Sequence, residues 1–97
     1  MPSQEDCRSI EEVRAEIDRI DRDILTLLGR RAGYVHAAAR FKATEKAVAA
    51  PERQAAMFQE RRQWAVEEDL DPAFIEGLYR SLVAYFIERE REHWKTL

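Results

Sequence analysis

Residues 9–46 read SIEEVRAEIDRIDRDILTLLGRRAGYVHAAARFKATEK and predict one long helix. Positions counted alternately by three and four from Arg14 form a stripe on one side of this helix, and apolar residues flank it. The stripe comprises Arg14, Ile17, Asp21, Ile24, Leu28, Arg31, Val35, Ala38 and Lys42, and its flanks comprise Ile10, Val13, Ile20, Leu27, Tyr34 and Phe41. Arg14, Arg31 and Lys42 therefore point toward a packed interior. A buried cation without a partner is costly, so these three require anionic partners from the protein or from a ligand.

Length and charge limit the class of protein. The 97 residues predict a single domain, 1–97, and the 45% hydrophobic content is enough for a small core. Sixteen basic and 19 acidic residues are spread along the chain, so there is no basic tract to bind nucleic acid. The N-terminal residues MPSQEDCRS lack the apolar core of a secretory signal, and no run approaches the roughly 20 apolar residues of a membrane span. We expect a cytoplasmic protein that binds neither nucleic acid nor membrane.

The residue types used for metal, thiol or nucleotide chemistry are scarce. Cys7 is the only cysteine and lies in a polar segment, which favours a free thiol without a catalytic role. His36 and His93 are the only histidines and are far apart in sequence, so we predict no metal site. The three glycines are isolated and form no phosphate-binding loop.

Breaks in the pattern divide the chain into three helices. Ser9 followed by Glu12 is a capping box that begins helix 1, and the apolar pattern fades near Lys46. The segment AVAAP, residues 47–51, is predicted to be a break with little to bury, and Pro51 suits the first turn of helix 2. Helix 2 extends to about residue 68, with Met57, Phe58, Trp64 and Ala65 on its apolar side and Arg61, Arg62 and Gln63 in solvent.

A second break precedes helix 3, which runs almost to the end of the chain. Asp71 is its predicted N-cap, and Pro72 occupies its first helical position. Its predicted buried face comprises Ile75, Leu78, Tyr79, Leu82, Val83, Phe86 and Ile87. Glu90 follows at helical spacing, at the edge of this face, and Trp94 is interpreted as a terminal packing residue. No segment has the period of a strand, so the fold class is all-α.

The length of helix 1 indicates a second chain. About 36 helical residues extend roughly 54 Å, whereas a domain of this size has a radius of gyration of only about 12.5 Å. The stripe cannot be buried within one protomer, so we predict an intertwined homodimer. On a continuous helix, Arg31 and Lys42 are about 16 Å apart in nearly the same direction and could hold one small molecule. Arg14, about 25 Å from Arg31, could reach that ligand only from the partner subunit.

The cations can also be explained without a ligand. Arg14 could pair with Asp18, Arg31 could pair with an acid on helix 2 or 3, and Lys42 could extend its ammonium into water. Taken singly, each of these explanations is the simpler one. Burying three cations in one stripe that faces Glu90 nevertheless costs desolvation free energy where helices pack together. A ligand with two carboxylates would offset that cost by pairing with the cations.

The quoted residues resemble the all-helical chorismate mutase family. The resemblance lies in IDRIDRDILTLLGRRAGYVHAAARFKA, in APER, and in a third helix with EGL and a polar residue at position 90. Within that family, EDC, LGRR, ARFKA and APERQAAM are most similar to bacterial isochorismate pyruvate lyases of salicylate-forming siderophore pathways. The resemblance covers about residues 5–95 and implies an intertwined dimer with two sites, each completed by the partner's first helix.

The resemblance also implies roles for individual residues. Arg14 from the partner and Arg31 would bind the substrate carboxylates, Lys42 would contact the ether oxygen and a carboxylate, and Glu90 would hydrogen-bond the same oxygen. Arg53 matches a family arginine near the site. The apolar wall would comprise Val35, Met57 and Ile87.

The reaction implied is pericyclic and needs no cofactor. A hydrogen moves from ring C2 of isochorismate to the enolpyruvyl methylene while the C–O bond breaks, giving salicylate and pyruvate. This chain departs from the lyase pattern at Glu90, where glutamine is usual, and a carboxyl group can donate to the ether oxygen only when it is protonated. Conversion of chorismate to prephenate by the same residues is an alternative function. A catalytically silent helical dimer is another.

Overall fold

Five helical elements form the secondary structure of residues 3–97, the part of the chain that this computed structural model describes. They are α1 (Ile10–Ala38), a 3-10 helix (Ala39–Phe41), α2 (Glu45–Ala49), α3 (Pro51–Glu67) and α4 (Pro72–Trp94). The described residues contain no strand, which confirms the predicted all-α class. The three long helices α1, α3 and α4 correspond to the three predicted from the sequence. Within residues 3–97 there is no helix with the length and apolar character to cross a membrane.

The predicted caps determine where the long helices begin. Glu12 N donates to Ser9 Oγ at 3.1 Å, as a capping box requires, while the Glu12 carboxylate accepts from Arg8 N at 2.7 Å. At the start of α4, Asp71 accepts a hydrogen bond from the backbone N–H of Ala73 at 3.1 Å. Both helix starts are therefore confirmed, with the Glu12 carboxylate bound to the N–H of Arg8 rather than to that of Ser9, as in a standard capping box.

The predicted end of helix 1 is wrong. Regular α-helix stops at Ala38, a 3-10 turn follows, and Lys42 is extended with φ −94° and ψ 128°. Thr44 then starts a new helix, because its hydroxyl accepts from Ala47 N at 3.2 Å. The geometry that placed Arg31 and Lys42 on one continuous helix is therefore also wrong.

The AVAAP segment is not the open break that its sequence indicated. Its first three residues form the end of α2, and Val48 is only 1% exposed, so the segment does bury an apolar side chain. The true break is at Ala50, which has φ 42° in the left-handed region. Right-handed helical geometry is disfavoured for a residue that precedes proline. Accordingly, α2 ends at Ala49, α3 begins at Pro51, and Ala50 lies between them.

Residues 34–97 form a compact unit with its own core. In this unit α4 packs against α3, α2 and the 3-10 helix. Met57 and Phe58 of α3 and Val83 of α4 are buried together, with Tyr79 and Ile87 packed against them. On the predicted apolar faces of α3 and α4, Leu78 and Trp64 are the exceptions, since about half of each remains exposed. At the ends of α1 and α4, the rings of His36 and His93 stack with their centroids 3.5 Å apart.

Residues 3–33 belong to the other unit, which is dominated by α1. No residue of α1 is buried, and its apolar side chains remain largely exposed, as at Ile20, which is 58% exposed. The other members of this exposed apolar stripe before Gly33 are Ile10, Val13, Ile17, Ile24, Leu25 and Leu27. At 1.5 Å per residue, α1 is about 44 Å long, shorter than predicted. The prediction that one protomer leaves the stripe uncovered is confirmed for this unit.

A three-residue ion cluster joins α3 to α4. Arg62 Nη1 is 3.0 Å from Glu76 Oε1, and Arg80 Nε is 2.8 Å from Glu76 Oε2. Arg62 and Arg61 are half-buried, so the prediction that they are solvated is wrong. The hydrogen bond from Arg80 is the main reason that the pKa of the Glu76 carboxyl is lowered, and Arg62 acts in the same direction.

Replacing Glu76 should make unfolding less sensitive to acid. A carboxylate whose pKa is lowered in the folded state stabilises the fold above its unfolded pKa, and this contribution disappears as the pH falls through the folded pKa. We therefore expect Glu76→Gln to lower the melting temperature at pH 7 and to flatten its decline below about pH 5. Melting curves at fixed protein concentration across this range test the expectation.

The matched control is Glu92→Gln, which changes an exposed carboxylate on the same helix. It should leave the slope of melting temperature against pH unchanged. Equal slopes in the parent protein and in Glu76→Gln would show that the Arg62–Glu76–Arg80 cluster does not contribute to the acid sensitivity of the fold.

Candidate active site

Lys42 lies at the junction between the 3-10 helix and α2. Its N–H donates to Ala39 O at 3.2 Å and ends the 3-10 helix, and its extended backbone then leads to the N-cap of α2. Ala39 is completely buried, which anchors the start of this junction. The Lys42 side chain therefore extends from a main chain of defined conformation.

Two acceptors surround the Lys42 ammonium. Nζ lies 3.2 Å from Glu90 Oε2 and donates a hydrogen bond to Ala47 O, also at 3.2 Å. Ala47 is in the last turn of α2, where backbone carbonyls have no partner within the helix, so the ammonium satisfies one of them. The prediction that Lys42 and Glu90 face each other at a site is consistent with this contact, and the alternative in which Lys42 extends into water is not.

Glu90 is the only charged residue buried within the described part of the chain, and it is 6% exposed. Its partner Lys42 retains 24% of its side-chain exposure, so one side of the ion pair is open to solvent. Glu90 Oε2 is close to the ammonium but is not aligned with any hydrogen-bond donor within residues 3–97. The carboxyl therefore has unused hydrogen-bonding capacity beside an accessible cation, which is an arrangement suited to a polar ligand.

Apolar side chains on α3 and α4 lie in the same unit as Lys42 and Glu90. Met57 is buried and Ile87, one turn before Glu90, packs against the cluster that contains it, so the structure brings these two predicted wall residues together. Val35 lies half-buried in the last turns of α1, within the same unit. The contribution of these three residues to a substrate-binding wall stays a prediction.

Arg53 is exposed in the first turn of α3. It lines an open pocket of about 550 Å³. The other residues lining the pocket are Thr44, Lys46, Ala47, Ala50, Pro51 and Glu52. Ala47 connects this pocket to the Lys42 network, because its carbonyl accepts from the Lys42 ammonium. Arg53 is thus near the α2 segment that Lys42 caps.

Arg14 and Arg31 lie on α1 in the other unit. Arg14 is exposed, and Arg31 is half-buried and has contacts with other groups. They are 17 residues apart on one helix, which separates their backbones by about 25 Å. A small molecule cannot bind both arginines of the same α1 helix.

Sequence reasoning missed one contact at Lys42. Trp94 Nε1 donates to Lys42 O at 3.0 Å, although Trp94 was expected only to pack at the end of the chain. Trp94 follows Glu90 by four residues, so both side chains lie on one face of α4. That spacing was visible in the sequence, but it could not show that a main-chain carbonyl would lie opposite the indole.

No group of three or more histidine, cysteine, aspartate or glutamate side chains is arranged for a metal ion in residues 3–97. That the protein requires no metal or cofactor stays a prediction.

Two comparisons with known proteins show which proteins this chain is similar to. The protein-family model for chorismate mutase type II matches residues 13–91, a span that includes Arg14, Lys42 and Glu90. The isochorismate pyruvate lyase of Pseudomonas aeruginosa is 48% identical over 95 residues, which cover 98% of this chain and 94% of the relative. The similarity therefore extends over nearly the full length of both proteins.

Proposed function

Because this chain belongs to the chorismate mutase type II family, we propose that it is an isochorismate pyruvate lyase that converts isochorismate to salicylate and pyruvate. The observation that carries the proposal is the 48% identity, over nearly the whole chain, to a lyase of that name. The contact between Lys42 and Glu90 supports it, since the reaction requires a cation and a hydrogen-bonding group at one oxygen atom.

The reaction depends on orientation and on charge at the ether oxygen. Hydrogen passes from ring C2 to the enolpyruvyl methylene as the C–O bond breaks, so the enzyme must hold a folded conformer with these atoms close together. Negative charge then develops on the departing oxygen, and the Lys42 ammonium is the group that stabilises it. A preorganised donor of this kind contributes roughly 3 to 4 kcal/mol by analogy with oxyanion holes.

Glu90 has a second role at the same oxygen. In the free protein its carboxylate accompanies the Lys42 ammonium, and a substrate oxygen that takes the ammonium displaces this contact. A protonated Glu90 then donates a hydrogen bond to the oxygen, whereas an ionised Glu90 opposes the developing charge. The reaction therefore requires an uncharged hydrogen-bond donor at position 90.

The substrate carboxylates require two further cations, which we assign to Arg31 and to Arg14 of a second copy of the chain. The separation of about 25 Å along α1 prevents one helix from supplying both. The exposed apolar stripe on α1, which includes Ile20 and Leu27, offers a surface for the second copy. In this proposal the functional unit is an intertwined homodimer in which residues 1–97 form one helical domain, with two equivalent shared sites.

A second candidate activity is the rearrangement of chorismate to prephenate. The family model favours it by its description, and Glu90 stands where the lyase pattern usually has glutamine. The same cations would bind this substrate, which is also a dicarboxylate ether. We propose chorismate mutase as a secondary activity of the same site. The cytoplasmic location and the absence of nucleic-acid or membrane partners stay predictions.

Purified protein should release salicylate from isochorismate faster than it forms prephenate from chorismate. Salicylate fluorescence and prephenate absorbance measure the two rates on one sample. We expect Lys42→Ala to lower kcat by at least about a hundredfold with helix content unchanged, because the ammonium acts mainly on transition-state charge.

The control is Lys95→Ala, which removes an exposed ammonium on the surface of the same unit. Its kcat should equal that of the parent protein. A loss in Lys42→Ala confined to KM would contradict the assigned role of Lys42. Inactivity of the parent protein toward both substrates would favour a non-catalytic helical dimer.

Subunit mixing tests the shared site. Arg14→Ala and Lys42→Ala proteins should each be nearly inactive, and a mixed dimer should regain one intact site because one of its two sites carries neither substitution. Activity measured after denaturation and joint refolding should approach half the parent value per mixed dimer. If native mass spectrometry shows mixed dimers and activity does not recover, Arg14 and Lys42 do not act across the subunit boundary.

The hydrogen bond required at position 90 predicts the effect of Glu90→Gln. A glutamine amide donates to the ether oxygen without a charge that opposes the developing negative charge, so Glu90→Gln should raise kcat/KM for isochorismate at neutral pH. Steady-state rates of the parent protein and of Glu90→Gln at one pH test this expectation. A lower kcat/KM in Glu90→Gln would show that Glu90 does not have the proposed role.

A further inference from the structure

The indole of Trp94 makes a long-range contact with the main chain at Lys42. Trp94 Nε1 donates to Lys42 O at 3.0 Å, and the two residues are 52 positions apart in sequence. Trp94 is half-buried at the last residue of α4, and it lies outside the span 13–91 that the family model matches. Nothing in the proposed reaction uses the indole itself.

This contact completes the fixing of the Lys42 peptide groups. The Lys42 N–H is already bound to Ala39 O, but its carbonyl precedes two residues, Ala43 and Thr44, that lie between regular elements. An extended residue between two helices has no helical hydrogen bond to hold its carbonyl, so only an outside donor can do so. Trp94 is that donor.

The same helix also supplies the partner of the Lys42 side chain. Glu90 and Trp94 are one turn apart on α4, so the helix contacts Lys42 at the ammonium through Glu90 and at the carbonyl through Trp94. Glu90 holds the ammonium and Trp94 holds the main chain, so both ends of the flexible four-carbon Lys42 side chain are restricted. Without the contact from Trp94, the ammonium could remain near Glu90 while the backbone beneath it moved.

Other contacts hold the end of α4 without touching Lys42. His93 stacks on His36, and Lys95 and Arg91 each lie 3.5 Å from Glu45 of α2. The two ion pairs with Glu45 are solvent-exposed and so contribute little. These contacts allow an effect on Lys42 to be separated from general loosening of the helix end.

We propose that Trp94 is a positioning residue, which fixes the Lys42 main chain so that the ammonium is held in the geometry that the reaction requires. Its effect on catalysis rests on the proposed function, whereas its effect on the Lys42 backbone does not. Because Trp94 acts through Lys42 and does not contact the substrate, its removal should affect turnover more than substrate affinity.

Trp94→Phe tests the proposal, because it removes the N–H and keeps an aromatic ring. We expect kcat to fall by about fivefold to tenfold, the range for losing one hydrogen bond that aligns a catalytic group, with KM changed by less than about twofold. The matched control is Trp64→Phe, the same change at the other tryptophan, which is about half exposed on α3. His93→Ala controls for loosening of α4. Both controls should keep kcat within about twofold of the parent value.

Hydrogen exchange provides a readout that does not depend on activity. The amides of residues 42–47 should exchange faster in Trp94→Phe, while amides in the middle of α3 and α4 should not change. The indole N–H resonance assigned to Trp94 by its loss in Trp94→Phe should exchange slowly in the parent protein.

The outcomes separate the two proposals. Unchanged exchange at residues 42–47 in Trp94→Phe, or an equal kcat loss in His93→Ala, would overturn the positioning role. Faster exchange there in a protein that turns over neither isochorismate nor chorismate would support the structural part of the inference and count against the proposed function. Faster exchange with kcat unchanged in an active enzyme would show that Lys42 alignment does not require Trp94.

Discussion

The ammonium of Lys42 is the constraint around which the 34–97 unit is arranged. A mostly buried cation is tolerated only with close anionic or dipolar partners, and here these are the Glu90 carboxylate and the Ala47 carbonyl. The main chain leaves the α-helical path before Lys42, and the 3-10 turn, the extended residue and α2 together bring the Ala47 carbonyl to the ammonium.

This arrangement explains why the free protein tolerates a strongly polar site. A buried ion pair seldom stabilises a fold more than well-packed apolar residues would, so its presence indicates another use. Glu90 accompanies the Lys42 ammonium in the free protein, and one side of Lys42 is open to solvent. In the proposed mechanism a substrate oxygen would approach from this side and replace Glu90 as a partner of the ammonium.

Local signals predicted the fold well wherever a side chain satisfies its own helix end. Ser9, Asp71 and Pro51 act on backbone groups within four residues, so their effects could be read directly from the sequence.

The end of α1 could not be read in this way. HAAARFKA has good helix formers at nearly every position, yet regular α-helix stops at Ala38, and the contacts of Lys42 that follow are with Glu90 and Trp94, which are distant in sequence. For the candidate site, the sequence indicated only that Glu90 faces the stripe that contains Lys42, whereas the route of the chain between Ala38 and Thr44 required the structure.

The exposed stripe on α1 and the separation of its two arginines have a common origin in helix geometry. At about 44 Å, α1 is longer than either α3 or α4, and its apolar residues before Gly33 are largely exposed. The rise of this helix separates the backbones of Arg14 and Arg31 by about 25 Å, so the two side chains cannot share one small pocket. If a second chain covers the stripe, burial of residues such as Ile20 and Leu27 would supply the association energy. The Arg14 side chain of that second chain would then reach the site that the first chain's own Arg14 cannot reach. Stability and completion of the site would thus depend on one surface, which is why substitutions in this stripe should affect both together.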